Sequence, residues 1–134
     1  MSRKVSARIA SVALFVHGFV ELFGAVALLA LPREFLTAKG YVGEEGEIAF
    51  SITLAAIFGL SRLVSGWPTW WMKKWGITLG IVLGATTMIE APLLFLLGAI
   101  NLSSLVMDMF LAVTVVAFSL YALFGNETIA SIRR

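Results

Sequence analysis

The fold is decided by one stretch, Ile9–Leu31, which reads IASVALFVHGFVELFGAVALLAL. A helix needs about 20 residues, at about 1.5 Å each, to cross about 30 Å of hydrocarbon, so this stretch is long enough to span a membrane. Arg3, Lys4 and Arg8 precede it, as basic residues do in a signal peptide. The apolar run is much longer than the roughly 7–15 residues of such a leader. We therefore expect a retained transmembrane helix.

Three further stretches have the same length and apolar character. Together with the first, they predict helices over residues 9–31, 48–66, 75–99 and 102–124. The apolar runs are unbroken, which argues against the residue alternation of an outer-membrane barrel. The sequence predicts an all-α fold, in which residues 1–134 form a single transmembrane domain. Its four helices are expected to form a bundle with short loops and antiparallel neighbours.

The composition agrees with this class of protein. The chain is 60% hydrophobic and only 13% charged, whereas a soluble domain carries about 25% charged residues. The lipid bilayer is therefore the predicted partner. The absence of cysteine excludes disulfides, thiolate metal sites and thiol catalysis. The net charge of +2 argues against nucleic acid, and we expect neither a cofactor nor a metal.

The basic residues are distributed unevenly along the chain. The first connection has two, Arg33 and Lys39, and the third has none. Seven lie in the N-terminal tail, the second connection and the C-terminus: Arg3, Lys4, Arg8, Lys73, Lys74, Arg133 and Arg134. Cytoplasmic segments of membrane proteins are rich in lysine and arginine. We therefore expect a protein of the cell membrane with both termini in the cytoplasm.

All four tryptophans lie at the second connection, beside its two lysines. They are Trp67, Trp70, Trp71 and Trp75, with Lys73 and Lys74 between them. Indole rings favour the headgroup region of a bilayer, and ammonium groups favour the adjacent water. This segment is therefore interpreted as an interfacial anchor.

Five ionisable residues lie inside the predicted spans: His17, Glu21, Arg62, Glu90 and Asp108. A charge near the bilayer centre costs a few kcal/mol, so such residues are candidates for function. Measured from the midpoints of the spans, their depths are graded from Arg62 on the cytoplasmic side to Asp108 on the outer side. This gradation suits a proton or cation relay. The alternative is that Arg62 and Asp108 extend to the nearer interfaces and have little importance.

The charges inside the spans do not balance. Glu21, Glu90 and Asp108 offer three carboxyls against Arg62 and, if it is protonated, His17. At least one carboxyl is therefore expected to be neutral or to hold a cation, because an unpaired carboxylate in hydrocarbon takes up a proton. His17 and Glu21 are four residues apart on one helix, so we expect their side chains to interact.

Glycines recur at helical spacing in the third span. Gly76, Gly80 and Gly84 form a GxxxGxxxG pattern, which lets two helix backbones approach closely. The partner is either a helix of the same chain or a second copy. A weak internal repeat also relates Phe19–Leu22 to Met88–Ala91, which predicts two similar helical hairpins.

Two short segments resemble parts of known families. Glu21-Leu22-Phe23-Gly24 resembles the E-x-x-G motif of small multidrug resistance transporters, which are also short four-helix proteins. Those proteins exchange protons for cationic drugs at a glutamate, which implies that role for Glu21. His17 and Glu21 resemble the His/Glu pair of sterol-isomerase-type membrane proteins. The first family has no equivalent of Arg62 and Glu90, and each resemblance covers few residues, so no family is assigned.

Three functions fit these patterns. The favoured one is a proton- or cation-coupled transporter or channel subunit, with Glu21 and Glu90 as its site and Arg62 as counter-ion. The second is a non-catalytic accessory subunit of a larger membrane complex, and a homo-oligomer is left open. The third is an intramembrane isomerase, with His17 and Glu21 as general acid and base. No residue is assigned as catalytic, and a non-enzymatic role is preferred.

Overall fold

The described part of the chain is α-helical apart from the first residues and the connections between helices. The computed structural model describes residues 1–32, 34, 45–98 and 100–132. Four α-helices follow one another: α1 (Arg3–Ala30), α2 (Glu45–Trp70), α3 (Lys74–Leu96) and α4 (Leu102–Ile132). Within the described residues, the prediction of an all-α chain with four helices is confirmed. Four of the basic residues that carry the orientation argument lie outside the described residues: Arg33, Lys39, Arg133 and Arg134.

Three helices extend several residues beyond the predicted spans, whereas α3 begins only one residue early. The first, α1, begins at Arg3 because the Ser2 hydroxyl accepts a hydrogen bond from the Val5 N–H at 3.3 Å and caps the helix. The second, α2, continues through Pro68 to Trp70. The fourth, α4, runs through Gly125, where we predicted its end, to Ile132. Hydropathy measures where the apolar residues end, whereas a helix continues into polar sequence, and one glycine costs only about 1 kcal/mol.

Two residues with positive φ end helices. Met72, at φ 60°, follows α2, and the Lys73 N–H there donates to the Pro68 carbonyl at 2.8 Å. Gly98, at φ 72°, follows α3, and its N–H donates to the Phe95 carbonyl at 3.0 Å. The left-handed conformation is one that glycine adopts without steric cost. Gly98 therefore ends α3 a little before the predicted limit at residue 99.

The four helices are arranged in a ring. Helix α1 packs against α2 and α4, α3 packs against the same two helices, and α1 lies diagonally opposite α3. The start of α1 lies beside the C-terminal third of α4, because the Arg3 guanidinium donates to the carbonyls of Ala122 and Leu123 at 2.6 Å each. The Ser11 hydroxyl of α1 donates to the Gly66 carbonyl of α2 at 2.8 Å. Consecutive helices are thus neighbours in space.

Three of the helices are long and apolar enough to cross a membrane. In the described part of the chain these are Arg3–Ala30, Lys74–Leu96 and, within α4, Leu102–Gly125. The predicted span 48–66 falls within α2, but the side chains of residues 48 and 51 lie outside the described part.

Burial divides the bundle into two halves. Where side chains are described, the packed half has buried residues in every turn or two of each helix, and it comprises residues 3–18, 59–70, 74–87 and 111–125. In the loose half, only Ala25 and Ala91 are buried among the described side chains of residues 19–30, 49–58, 88–98 and 100–110. The predicted cytoplasmic ends of the helices all belong to the packed half.

Candidate functional site

The five ionisable residues gather where the packed half meets the loose half. His17 and Arg62 belong to the packed half, and both are buried. Glu21, Glu90 and Asp108 belong to the loose half, and all three are partly exposed. The cationic or basic groups therefore lie on one side of this boundary and the carboxyls on the other.

Arg62 joins three helices at this boundary. Its Nη1 atom pairs with the Glu21 carboxylate of α1. Its Nη2 atom donates to the Thr87 hydroxyl of α3 at 2.5 Å, and that hydroxyl donates to the Leu83 carbonyl at 3.0 Å. The guanidinium carbon lies 5.5 Å from the centre of the Phe58 ring. Arg62 is therefore held inside the bundle, because its side chain is only 3% exposed, against 22% for Glu21.

Two glycines let α1 and α2 approach beside this ion pair. A Cβ atom added at Gly18 would lie 2.8 Å from the Gly59 carbonyl oxygen. A Cβ atom added at Gly59 would lie 3.0 Å from the Gly18 carbonyl oxygen and 3.3 Å from the Cβ of Glu21. A side chain at either position would hold the two backbones apart. The close contact therefore brings Glu21 within reach of Arg62.

The second ion pair joins α1 to α4. His17 Nε2 lies 3.5 Å from Asp108 Oδ1, and the pair is charged on both sides when the imidazole is protonated. The His17 side chain is 4% exposed and that of Asp108 is 26% exposed. As in the first pair, a buried group is joined to a carboxyl that is partly exposed on the loose half.

His17 and Glu21, four residues apart on α1, interact electrostatically, as their spacing predicts. Each of them also reaches an ion-pair partner on another helix, which the sequence does not indicate. The gradation of depths from Arg62 to Asp108 stays a prediction, because an ion pair between side chains does not fix the levels of the two backbones.

Glu90 stands apart from both pairs. It is partly exposed on α3 and has neither a hydrogen bond nor an ion pair with any described residue. Pro92 lies inside the same helix, two residues further on. Since Arg62 pairs with Glu21 and His17 faces Asp108, Glu90 is the carboxyl that the charge count leaves unmatched. The structure therefore brings together four of the five predicted residues.

Comparison with protein-family models, curated proteins and solved structures found no match to this chain.

The glycines of the GxxxGxxxG pattern each face a neighbour within the chain. A Cβ at Gly76 would lie 2.5 Å from Pro68 Cγ of α2. At Gly80 it would lie 3.1 Å from Leu14 Cδ1 of α1, and at Gly84 it would lie 2.8 Å from Val116 Cγ2 of α4. The three glycines therefore let α3 approach all the other helices of the bundle.

The tryptophan segment lies on the surface at the end of the packed half. Trp67, Trp71 and Trp75 are exposed, and the rings of Trp67 and Trp71 meet edge to face with centroids 6.4 Å apart. Lys73 and Lys74 are exposed beside them. Trp70 is half-buried and lies under the guanidinium of Arg8, whose central carbon is 5.0 Å from the ring centre.

No metal centre is evident at the site. Among the described residues, no three histidine, aspartate or glutamate side chains come close enough to hold a metal ion. The site contains two paired carboxyls, Glu21 and Asp108, and one, Glu90, that has no partner among the described residues.

Proposed function

We propose that the protein is integral to the cytoplasmic membrane and crosses it four times, with antiparallel neighbours and both termini in the cytoplasm. Three helices of sufficient length and apolar character support this proposal, and so does the excess of basic residues at the termini and the second connection. The contact of the first turn of α1 with Ala122 and Leu123, near the end of the predicted fourth span, also supports it, since the first and last spans would then end at one interface. The exposed tryptophans suit the same interface.

The orientation can be measured by labelling single cysteines, because the native chain has none. We expect cysteines introduced at Ser2 and Lys74 to react with an impermeant maleimide only after the membrane is permeabilised, which gives the reagent access to the cytoplasm. A cysteine at Leu97, which lies at the opposite end of the bundle, should react in intact cells. Labelling of Leu97→Cys only from the cytoplasmic side would overturn the orientation.

The function that the site supports best is proton- or cation-coupled transport, as a transporter or a channel subunit. The observation that carries it is the asymmetry of the two ion pairs. In each pair the cationic or basic partner is buried in the packed half, and the carboxyl is partly exposed on the loose half. A proton or cation that enters from the loose half therefore meets carboxyls first. Ionisable groups inside membrane spans commonly mark such pathways.

The ion pairs also link the occupancy of the site to the packing of the helices. Arg62 remains charged at any physiological pH, whereas Glu21 is neutralised when it binds a proton or a cation. Neutralisation removes the attraction that joins α1 to α2, and the same event at Asp108 releases α1 from α4. Both pairs act on α1. Binding at the carboxyls would therefore favour movement of this helix, as alternating access requires.

A second candidate is an accessory subunit of a larger membrane complex. Glu90 and the large exposed side chains of the loose half favour it, because a partner subunit could cover them. Examples are Phe23, Ile89 and Phe110, whose exposed fractions are 77%, 74% and 70%. A homo-oligomer would use the same surface. The isomerase is not developed further, because His17 and Glu21 each form an ion pair with a residue on another helix.

Ion flux in liposomes tests the transport proposal. The purified chain is reconstituted with a pH-sensitive dye inside, and a potassium diffusion potential drives cations inward. We expect internal acidification, or uptake of radioactive sodium, to be at least several times faster than in protein-free liposomes. Glu90→Gln breaks no ion pair among the described residues. A lower ion flux through this variant would show that the third carboxyl also takes part in transport. Rates equal to those of empty liposomes for both ions would favour the accessory subunit.

A further inference from the structure

An apolar groove runs along the outer surface between α1 and α4. Its volume is about 450 Å³. Its walls are almost entirely hydrophobic, and the main contributors are Val5, Ile9, Val12, Val16, Phe110 and Leu111. The groove is open to the surroundings, since Val12 is 51% exposed and Phe110 is 70% exposed. In the membrane proposed above, it opens into the hydrocarbon of the cytoplasmic leaflet.

A guanidinium group with free donors lies near the N-terminal end of the groove. Arg8 lines the groove between Val5 and Val12, and its guanidinium lies on Trp70, 5.0 Å from the ring centre. It forms no ion pair with any described residue. Arg3, five residues earlier, differs in this respect because it donates to two backbone carbonyls of α4. The N–H groups of Arg8 are therefore available to an anion from outside the chain.

The length of the groove matches one leaflet. From Arg8 to Val16 the helix rises about 12 Å, and the hydrocarbon of one leaflet is about 15 Å thick, half of about 30 Å. An acyl chain along Val12 and Val16 would therefore place its headgroup at the level of Arg8. Guanidinium groups bind phosphates through two parallel hydrogen bonds. We infer that this groove is a binding site for an anionic phospholipid of the cytoplasmic leaflet, with its phosphate on Arg8. This inference rests on membrane insertion and not on transport.

Native mass spectrometry in detergent tests the site directly. The protein is titrated with phosphatidylglycerol and, separately, with phosphatidylcholine, and the fraction carrying one lipid is measured. We expect the wild-type protein to bind phosphatidylglycerol about tenfold more tightly, because only that lipid has a net negative charge beside Arg8. Arg8→Gln should remove this preference. Val12→Trp, which fills the groove, should weaken the binding of both lipids.

Two control variants distinguish lipid binding in the groove from a general effect of changing the protein surface. Lys4→Gln removes an exposed cation from the same end of α1 that does not line the groove, and Val26→Trp enlarges an exposed valine of α1 in the loose half. Both should bind lipid within about twofold of wild type. Equal binding of the two lipids by wild type, or equal losses in Lys4→Gln and Arg8→Gln, would overturn the inference. So would a lipid-free dimer, since a second copy would then occupy the groove.

Discussion

Replacement of Arg62 by alanine should cause the largest loss of stability of any single substitution in the chain. The guanidinium is nearly inaccessible and holds together Glu21, Thr87 and the face of Phe58 on three helices. Loss of one partner from a buried ion pair typically costs about 3–5 kcal/mol, because the remaining charge is left without compensation. Arg62→Ala should therefore lower the melting temperature in detergent strongly, as measured by tryptophan fluorescence.

A second substitution identifies the partner. Glu21→Gln in the Arg62→Ala background removes the uncompensated carboxylate and should restore part of the lost stability. Glu90→Gln in the same background is the matched control, because Glu90 has no ion pair among the described residues and should restore nothing. Equal rescue by both, or by neither, would contradict the pairing of Arg62 with Glu21. Lys74→Ala, which removes an exposed cation, should leave the melting temperature nearly unchanged.

The number and class of the helices could be predicted from the sequence because they depend on local properties. An unbroken apolar run such as Ile9–Leu31 predicts one long helix, because its length matches the number of helical residues that cross a bilayer. The ends of the helices were less predictable. Hydropathy does not report that Ser2 caps α1, or that Gly125 stays within α4. Those outcomes depend on hydrogen bonds and packing that composition does not contain.

The members of the candidate site could also be predicted, because ionisable residues are rare inside apolar helices. Which of these residues pair with each other could not be predicted. It depends on how far each helix is displaced along its axis relative to its neighbours, and Gly18 and Gly59 set part of that displacement at their contact. The sequence places each of these glycines on the same helix face as a predicted charge, but it does not show that the two glycines meet. Their one signal is that each lies three residues before a predicted charge, Glu21 or Arg62.

The division into packed and loose halves was not predicted either. Mean hydropathy is similar along a helix whether its neighbours are close or distant, so it carries no information about burial. The positions of small residues indicate part of this division. Gly76, Gly80 and Gly84 all precede Thr87 on α3, and they all face other helices of the packed half. Beyond Thr87 the described part of α3 has no glycine before Gly98, and its burial falls.

The second large expected effect is on ion flux. It shows whether the Glu21–Arg62 pair takes part in transport or only stabilises the fold. The Arg62→Ala/Glu21→Gln variant lacks both members of the pair but should retain the fold for the reason given above. If Glu21 carries protons or cations, this variant has no titratable group at that position and should not conduct. Asp108 and His17 remain as a second pair, so any residual flux would come from them.

The decisive comparison is therefore proton flux through wild type and through the Arg62→Ala/Glu21→Gln variant. Both are reconstituted at equal density, with the pH-sensitive dye inside the liposomes and the same inward driving potential. We predict that wild type acidifies the interior well above the rate of empty liposomes. The variant should be folded, with a cooperative melting transition, but should fall to within about twofold of the empty rate. A folded variant that conducts as fast as wild type would contradict a role for the Glu21–Arg62 pair in transport.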